Sequence, residues 1–393
     1  MSIPLKTLCV ISLCLLSSLS AAGQNKVLDN IPVRPRLEPL ARDIKQLDYF
    51  LSNDTIKICI LGDVMLHSKQ IKQALKKGAD SLAHESYKFD CFDLIKDRIQ
   101  AADLSIANME FTLAGPAFTG YPCFSAPDSY ASYIAECGVD VFLTANNHIL
   151  DKGTKGAIRT IETYSKMQED YGIRYTGSRI EQELDNNPLI VDIQGIKIAI
   201  VNLTYGTNRT LSKPYISYLS SMDLYFESAI KCEPDVIIAL PHWGNEYQLN
   251  CSTKQINDAE KMAKKGADII IGAHPHVVQN ADKIEIEDKQ IPVLYSLGNA
   301  VSNMSAPNTQ LGLMAEVTIV KKLNNKTEVW PSKLTWLWCS RPGGYNDSYT
   351  VIPIEDYLYK KTNWKGAWDY ENMVSTWTRV CEKTGLPKDG RID

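Results

Sequence analysis

No Cys-x-x-Cys pair occurs among the ten cysteines, so neither a zinc knuckle nor a thioredoxin-type redox pair is expected. No long run of Lys or Arg occurs either. The 42 basic residues stand against 46 acidic ones, a net charge of −4, and no nucleic acid is expected as a partner. Beyond the N-terminus no apolar stretch reaches bilayer-spanning length, and there is no internal repeat or low-complexity tract. Histidine is scarce, six in 393 residues, so the places where it falls carry information.

What is present is enough apolar material, 44% of the residues, for one large α/β core. Lys6 followed by the apolar run Leu8–Leu19 and by Ser20-Ala21-Ala22 reads as a secretory signal peptide over residues 1–22. Cleavage after Ala22 is expected, with an uncleaved anchor as the alternative. The mature chain would then be secreted or held at the cell envelope, outside the cytoplasm. Its eight cysteines would meet an oxidising compartment, although the sequence does not fix any pairing. Residues 23–53, with Pro32, Pro35 and Pro39, read as an N-terminal extension, residues 54–352 as the main domain, and residues 353–393 as a helical segment packed on it.

From Ile56 the pattern alternates between β and α. Short, nearly continuous apolar runs predict strands at Ile56–Leu61, Leu104–Ala107, Val139–Thr144, Ile196–Asn202, Val236–Leu240, Ile269–Ile271 and Val293–Leu297. Helical spacing covers Phe92–Ala101, Ser129–Cys137, Lys155–Tyr171, Met222–Lys231 and Lys254–Lys265. Such alternation predicts a largely parallel sheet or pair of sheets. Leu311–Val320 and Leu334–Trp338 read as later, antiparallel strands.

Ligands of open α/β sheets bind beyond the carboxyl ends of the strands. Polar clusters sit at six such ends here: Asp63; Asn108 with Glu110; Asn146, Asn147 and His148 with Asp151; His242 with Trp243; His274 with His276; and Asn299. Each cluster alone is compatible with a turn, a cap or a satisfied core group. Their joint recurrence favours one site. Imidazole, carboxylate and amide oxygen together suit a divalent ion such as Mn, Zn or Fe, one or two of them. The strongest local signal is His274-Pro275-His276, where the proline is expected to hold the segment extended. His67, four residues after Asp63, is expected either to reach the same pocket or to be a solvated loop histidine, and His84 is expected at the surface.

The order of these motifs resembles the CapA family of poly-γ-glutamate capsule synthesis proteins, related to the calcineurin-like metallophosphoesterases. The resemblance is carried by Leu61-Gly62-Asp63-Val64-Met65-Leu66, Asn108-Met109-Glu110, Asn146-Asn147-His148-Ile149-Leu150-Asp151-Lys152-Gly153, His242-Trp243-Gly244-Asn245-Glu246-Tyr247, Gly272 to Gln279 and Tyr295-Ser296-Leu297-Gly298-Asn299. It implies a four-layer α/β/β/α sandwich of metallophosphoesterase type with its site at one end of the two sheets. It implies metal ligation by Asp63, Glu110, Asn147, His242, His274 and His276, with Glu110 bridging. His148 would be the leaving-group acid and Asp151 its orienting partner. His67, Asn108, Asn146, Trp243, Glu246 and Asn299 would support the ligands or meet substrate.

Four departures stand out. Against the wider phosphoesterase pattern, Met65 occupies the position of a histidine ligand and Glu110 the bridging position of an aspartate; within the capsule family, His67-Ser68 replaces Gly-Arg, and Ala300 stands where a bulky aromatic is common. The implied function is a metal-dependent hydrolase in which activated water attacks a phosphoester or amide. The alternative is a non-catalytic subunit that binds or exports an anionic polymer alongside membrane-bound capsule machinery.

Overall fold

In the computed structural model, which describes residues 54–79, 87–182, 187–322 and 326–391, β1 (Asp54–Val64) shows how the layers arise. Side chains alternate across a strand. Ile56, Ile58 and Ile60 therefore enter one core, and Cys59 and Leu61 another. The later strands are β2 (Leu104–Met109), β3 (Val141–Leu143), β4 (Arg174–Thr176), β5 (Ser178–Arg179), β6 (Leu189–Ile193), β7 (Ile196–Thr204) and β8 (Tyr215–Ile216). They continue with β9 (Val236–His242), β10 (Ile269–Ile271), β11 (Ala281–Ile286), β12 (Lys289–Leu294), β13 (Asn299–Val301), β14 (Leu311–Lys321), β15 (Thr327–Ser340) and β16 (Thr350–Pro353).

Two large sheets result. The first runs β16-β15-β14-β1-β2-β3-β4, with β13 added in parallel at the end of β1. The second runs β11-β12-β10-β9-β7-β6, and β5 and β8 form a separate pair. The predicted parallel strands are parallel, and β14 and β15 are antiparallel as expected. Ile56, Ile58 and Ile60 of one sheet face Ile196, Ile198 and Ile200 of the other in a shared core. Outside the first sheet, Phe142 and Met109 pack with Tyr130, Ile134, Tyr164 and Met167, which belong to the helices Asp128–Glu136 and Gly153–Tyr171. Outside the second, Ile237, Ala239 and Ile270 pack with Phe226, Met262 and Ala259, from Met222–Lys231 and Thr253–Lys264. Three cores between four layers make the α/β/β/α sandwich.

The C-terminal helix Ala367–Thr384 adds Met373, Trp377 and Val380 to the inter-sheet core, against Leu334, Trp336 and Trp338 of β15. Several boundaries differ from expectation. Phe92–Ala101 is helical only over Lys96–Gln100, after a run of turns. The strand expected at Val293–Leu297 ends at Leu294, because the chain there leaves the second sheet and joins the first as β13. The helix Ser68–Ala79 and the hairpins β6–β7 and β11–β12 were not anticipated. All eight described cysteines are free thiols. Burial pushes the Cys59 thiol up to about 12, consistent with an inert apolar filler. The signal, the extension and His84 lie outside the described residues. Among the described residues no helix is long and apolar enough to cross a membrane.

Candidate metal centre

The inter-sheet face of several strands begins apolar and ends polar. β2 sends Leu104 and Ile106 into that core and, with the same parity, Asn108; Glu110 follows in step. β9 does the same with Val236, Ile238, Leu240 and then His242. β1 needs a bulge. Its pairing with β2 slips by one residue between Leu61 and Asp63, which moves Asp63 to the inner face opposite Asn108. Gly62 makes the bulge possible, since a Cβ there would stand 1.9 Å from the Gly298 carbonyl oxygen.

The segment after β10 is not extended. His274 and His276 both adopt left-handed backbone, φ 99° and 58°, which costs a non-glycine residue on the order of 1–2 kcal/mol. Local bonds hold it there. The His274 N–H donates to Asp63 Oδ2 at 3.2 Å, and the Tyr247 N–H donates to the Pro275 carbonyl at 2.8 Å. The two imidazoles consequently lie together, their centroids 5.8 Å apart.

Glu110 is the centre of the group. It is fully buried, and neither carboxylate oxygen has a hydrogen-bond partner. His242 Nε2 and His276 Nε2 each lie 3.7 Å from its Oε1, and His148 Nε2 lies 3.9 Å away. Those distances are too long for hydrogen bonds. They suit an intervening cation, because two atoms each roughly 2.1 Å from one ion lie about 3–4 Å apart. One candidate set is Asp63, Glu110 and His242; another is Glu110, His274 and His276. The buried His274 Nδ1 likewise lacks a partner. Asn147 Oδ1, 2.9 Å from His242 Nε2, adds an amide oxygen. The chemistry of the donors and the orphaned carboxylate therefore fit a divalent ion.

Electrostatics agree. Burial, then Asp63, holds the Glu110 carboxyl well above the usual carboxylate range. Burial, then the neighbouring imidazoles, keeps His242 well below its ordinary value, and burial followed by His276 takes His274 down to about 3. Both imidazoles are thus neutral, the form that ligates a metal. His276 moves the other way: burial lowers it, but the hydrogen bond and charge of Asp63 outweigh that.

His148 stands beside this group. Its Nδ1 is 2.7 Å from Asp151 Oδ2, which also accepts the Phe124 N–H at 2.7 Å. The Phe124 ring meets the imidazole edge-on at 4.7 Å. Asn146 fixes the loop, accepting the His148 N–H and donating to the Met109 carbonyl. Asn108 donates to Asp63 at 2.7 Å, and Asn299 Oδ1 lies 3.0 Å from His276 Nδ1. Glu246 is exposed at the rim.

One expected member lies apart. The ring of Trp243 faces the outer core and donates to the Tyr295 carbonyl, because it follows the inward-facing His242 by one residue. His67 stays beside the cluster: it sits edge-on to Phe124 at 5.2 Å, the ring that also meets His148, the charges of His276 and His148 act on it, and its Nδ1 is 3.2 Å from the Asn303 N–H. Met65 packs into the outer core of the first sheet. Asn208, which the sequence reading missed, bonds to Asn147 through backbone and side chain and lies 3.2 Å from His148 Nδ1. It sits in an irregular loop after β7, where no periodicity marks it.

Two relatives are similar in sequence. The capsule biosynthesis protein CapA of Bacillus anthracis is 26% identical over 270 residues, 66% of this chain and 62% of that protein. The chain thus matches less than two thirds of that relative's length. The PGA biosynthesis protein CapA of Bacillus subtilis (strain 168) is 25% identical over 295 residues, 71% of this chain and 72% of that one. Among solved structures, the NAD nucleotidase of Haemophilus influenzae aligns at 12% identity with a TM-score of 0.45, covering 83% of this chain and 63% of its own. A hypothetical protein from Thermus thermophilus aligns at 15% with a TM-score of 0.40, covering 70% and 99%. The family described as bacterial capsule synthesis protein PGA_cap matches residues 57–304. This chain belongs to that capsule synthesis family.

Proposed function

We propose that the chain is an exported, metal-dependent hydrolase of capsule or cell-envelope polymer synthesis, acting on a phosphoester or amide. The observation that carries this reading is Glu110, a partnerless buried carboxylate ringed by three imidazoles, with the His148–Asp151 pair beside it. Asp63, Glu110, Asn147, His242, His274 and His276 would hold the ion. Bound there, a divalent ion polarises the scissile group and supplies a water acidic enough to act as nucleophile near neutral pH.

The chain's own residues do the rest. Asn108 and Asn299 fix Asp63 and His276. Asp151 accepts from His148 Nδ1–H, which sets the tautomer and leaves Nε2 directed toward Glu110. From there His148, once protonated, delivers a proton to the departing oxygen or nitrogen. Replacing His148 by Ala should cost about 10²–10⁴ in turnover while metal content is retained. The check is metal analysis of the purified chain, paired with assays on a generic phosphodiester and a γ-glutamyl peptide. Turnover indifferent to His148→Ala would remove the acid role.

A second reading has its own support. Met65, packed in the outer core, supplies no ligand where the wider phosphoesterase pattern has histidine. A non-catalytic subunit that binds or exports an anionic polymer needs no complete centre. It predicts metal and polymer binding without turnover of any substrate.

A further inference from the structure

Three tyrosines stand at the mouth of the cluster, outside the roles assigned above. Tyr205, 46% exposed, has its ring 4.6 Å from His274 and 6.4 Å from His242, tilted only 13° to the latter. Tyr247, 40% exposed, lies 6.3 Å from His276 and is held in left-handed backbone at φ 66°. Tyr121, 71% exposed, lies 6.5 Å from Phe124, the ring that rests on His148. Each ring overlooks a different part of the centre and keeps a side open to water. Exposed polar groups beside them in sequence or contact include Glu246, Asn245, Gln248 and Asn208.

Arg209, exposed, follows Asn208 in sequence, and the charge of Arg341 reaches His67 while its guanidinium donates to the Met304 carbonyl. Among the described residues no Lys or Arg side chain hydrogen-bonds to or ion-pairs with Asp63, Glu110, Asp151 or Glu246. A polyanion strand is held by guanidinium, ammonium or clustered N–H donors. Aromatic faces edged by carboxylate and amide suit another ligand: a ring with an apolar face and a hydroxylated edge.

We propose that Tyr121, Tyr205 and Tyr247, with Glu246 and Asn208, form a glycosyl subsite, so that the group presented to the centre is the phosphate ester of a sugar rather than the γ-glutamyl amide of a polyglutamate chain. This rests on the hydrolytic reading and narrows its substrate. A water oxygen bonds to phosphorus as the phosphorus–sugar oxygen bond breaks. The sugar oxygen takes its proton from His148, and the water's proton passes to solvent.

Binding and chemistry are tested separately. Saturation-transfer NMR on the full chain, freed of metal by chelation, is run with a methyl hexoside, a nucleoside and a γ-glutamyl oligomer. The hexoside should show transfer; Tyr205→Ala or Tyr247→Ala should weaken it roughly tenfold, and Tyr205→Phe should preserve it. With metal restored, phosphate release from a hexose phosphate should show a KM roughly tenfold below that of glycerol phosphate, and Tyr205→Ala should erase the difference. Preference for the nucleoside or the γ-glutamyl oligomer, or indifference to the tyrosines, would overturn the subsite. Hexoside binding with no phosphate released from any ester would support the subsite and overturn the hydrolytic reading instead.

Discussion

Replacing Glu110 by Gln keeps its volume and removes its charge. A carboxyl whose folded pKa is raised stabilises the fold fully only below its unfolded value and loses that contribution as pH rises through the folded one. At neutral pH without metal, Glu110→Gln should therefore resist urea better than the parent. With metal present the order should reverse, because the variant cannot supply an anionic ligand. Equal metal content in variant and parent would remove Glu110 from the centre. His67 gives the opposite pH signature. Burial takes it down to about 4, so its contribution is present above the ordinary value of about 6.5 and lost as pH falls from there to about 4. The stability of the parent minus that of His67→Gln should shrink through that window in urea titrations of metal-free protein. A constant difference would mean that His67 is solvated.

At the scale of strands and helices, the bulge in β1 is the most exacting element. Gly62→Ala drives a methyl group into the Gly298 carbonyl oxygen, and overpacking of this kind costs about 1–3 kcal/mol or more. The midpoint of thermal unfolding should drop and metal should be lost with it, since straightening the bulge turns Asp63 to the outer face. The strands that position the site were legible because, buried on both faces, they are nearly unbroken apolar runs. The helix Ser68–Ala79 was not, since its run of lysines and glutamines gives only Ile71 and Ala74 as apolar anchors in the core. Which side chains at strand ends turn inward could be read from parity, as Val236, Ile238, Leu240 and His242 show. The same parity would have excluded Trp243. Asn208 could not be found this way, because only tertiary folding brings its loop over the cluster. The left-handed turns at His274 and His276 also escaped, since tertiary bonds override the local preference before proline.

For the whole molecule, chelation should lower the unfolding temperature by an amount that grows with the metal concentration of the untreated sample, as binding to the native state alone requires. A melting point insensitive to chelator would argue that nothing occupies the cluster. Asp63, Asn108 and Glu110 come from the first sheet and His242 from the second, with His274 and His276 following it. A cation seated among them would thus join the two halves of the sandwich at a seam. Its grip must register any sliding of one half over the other. By thermodynamic reciprocity, whatever shears the seam loosens the ion, and whatever tightens the ion stiffens the seam.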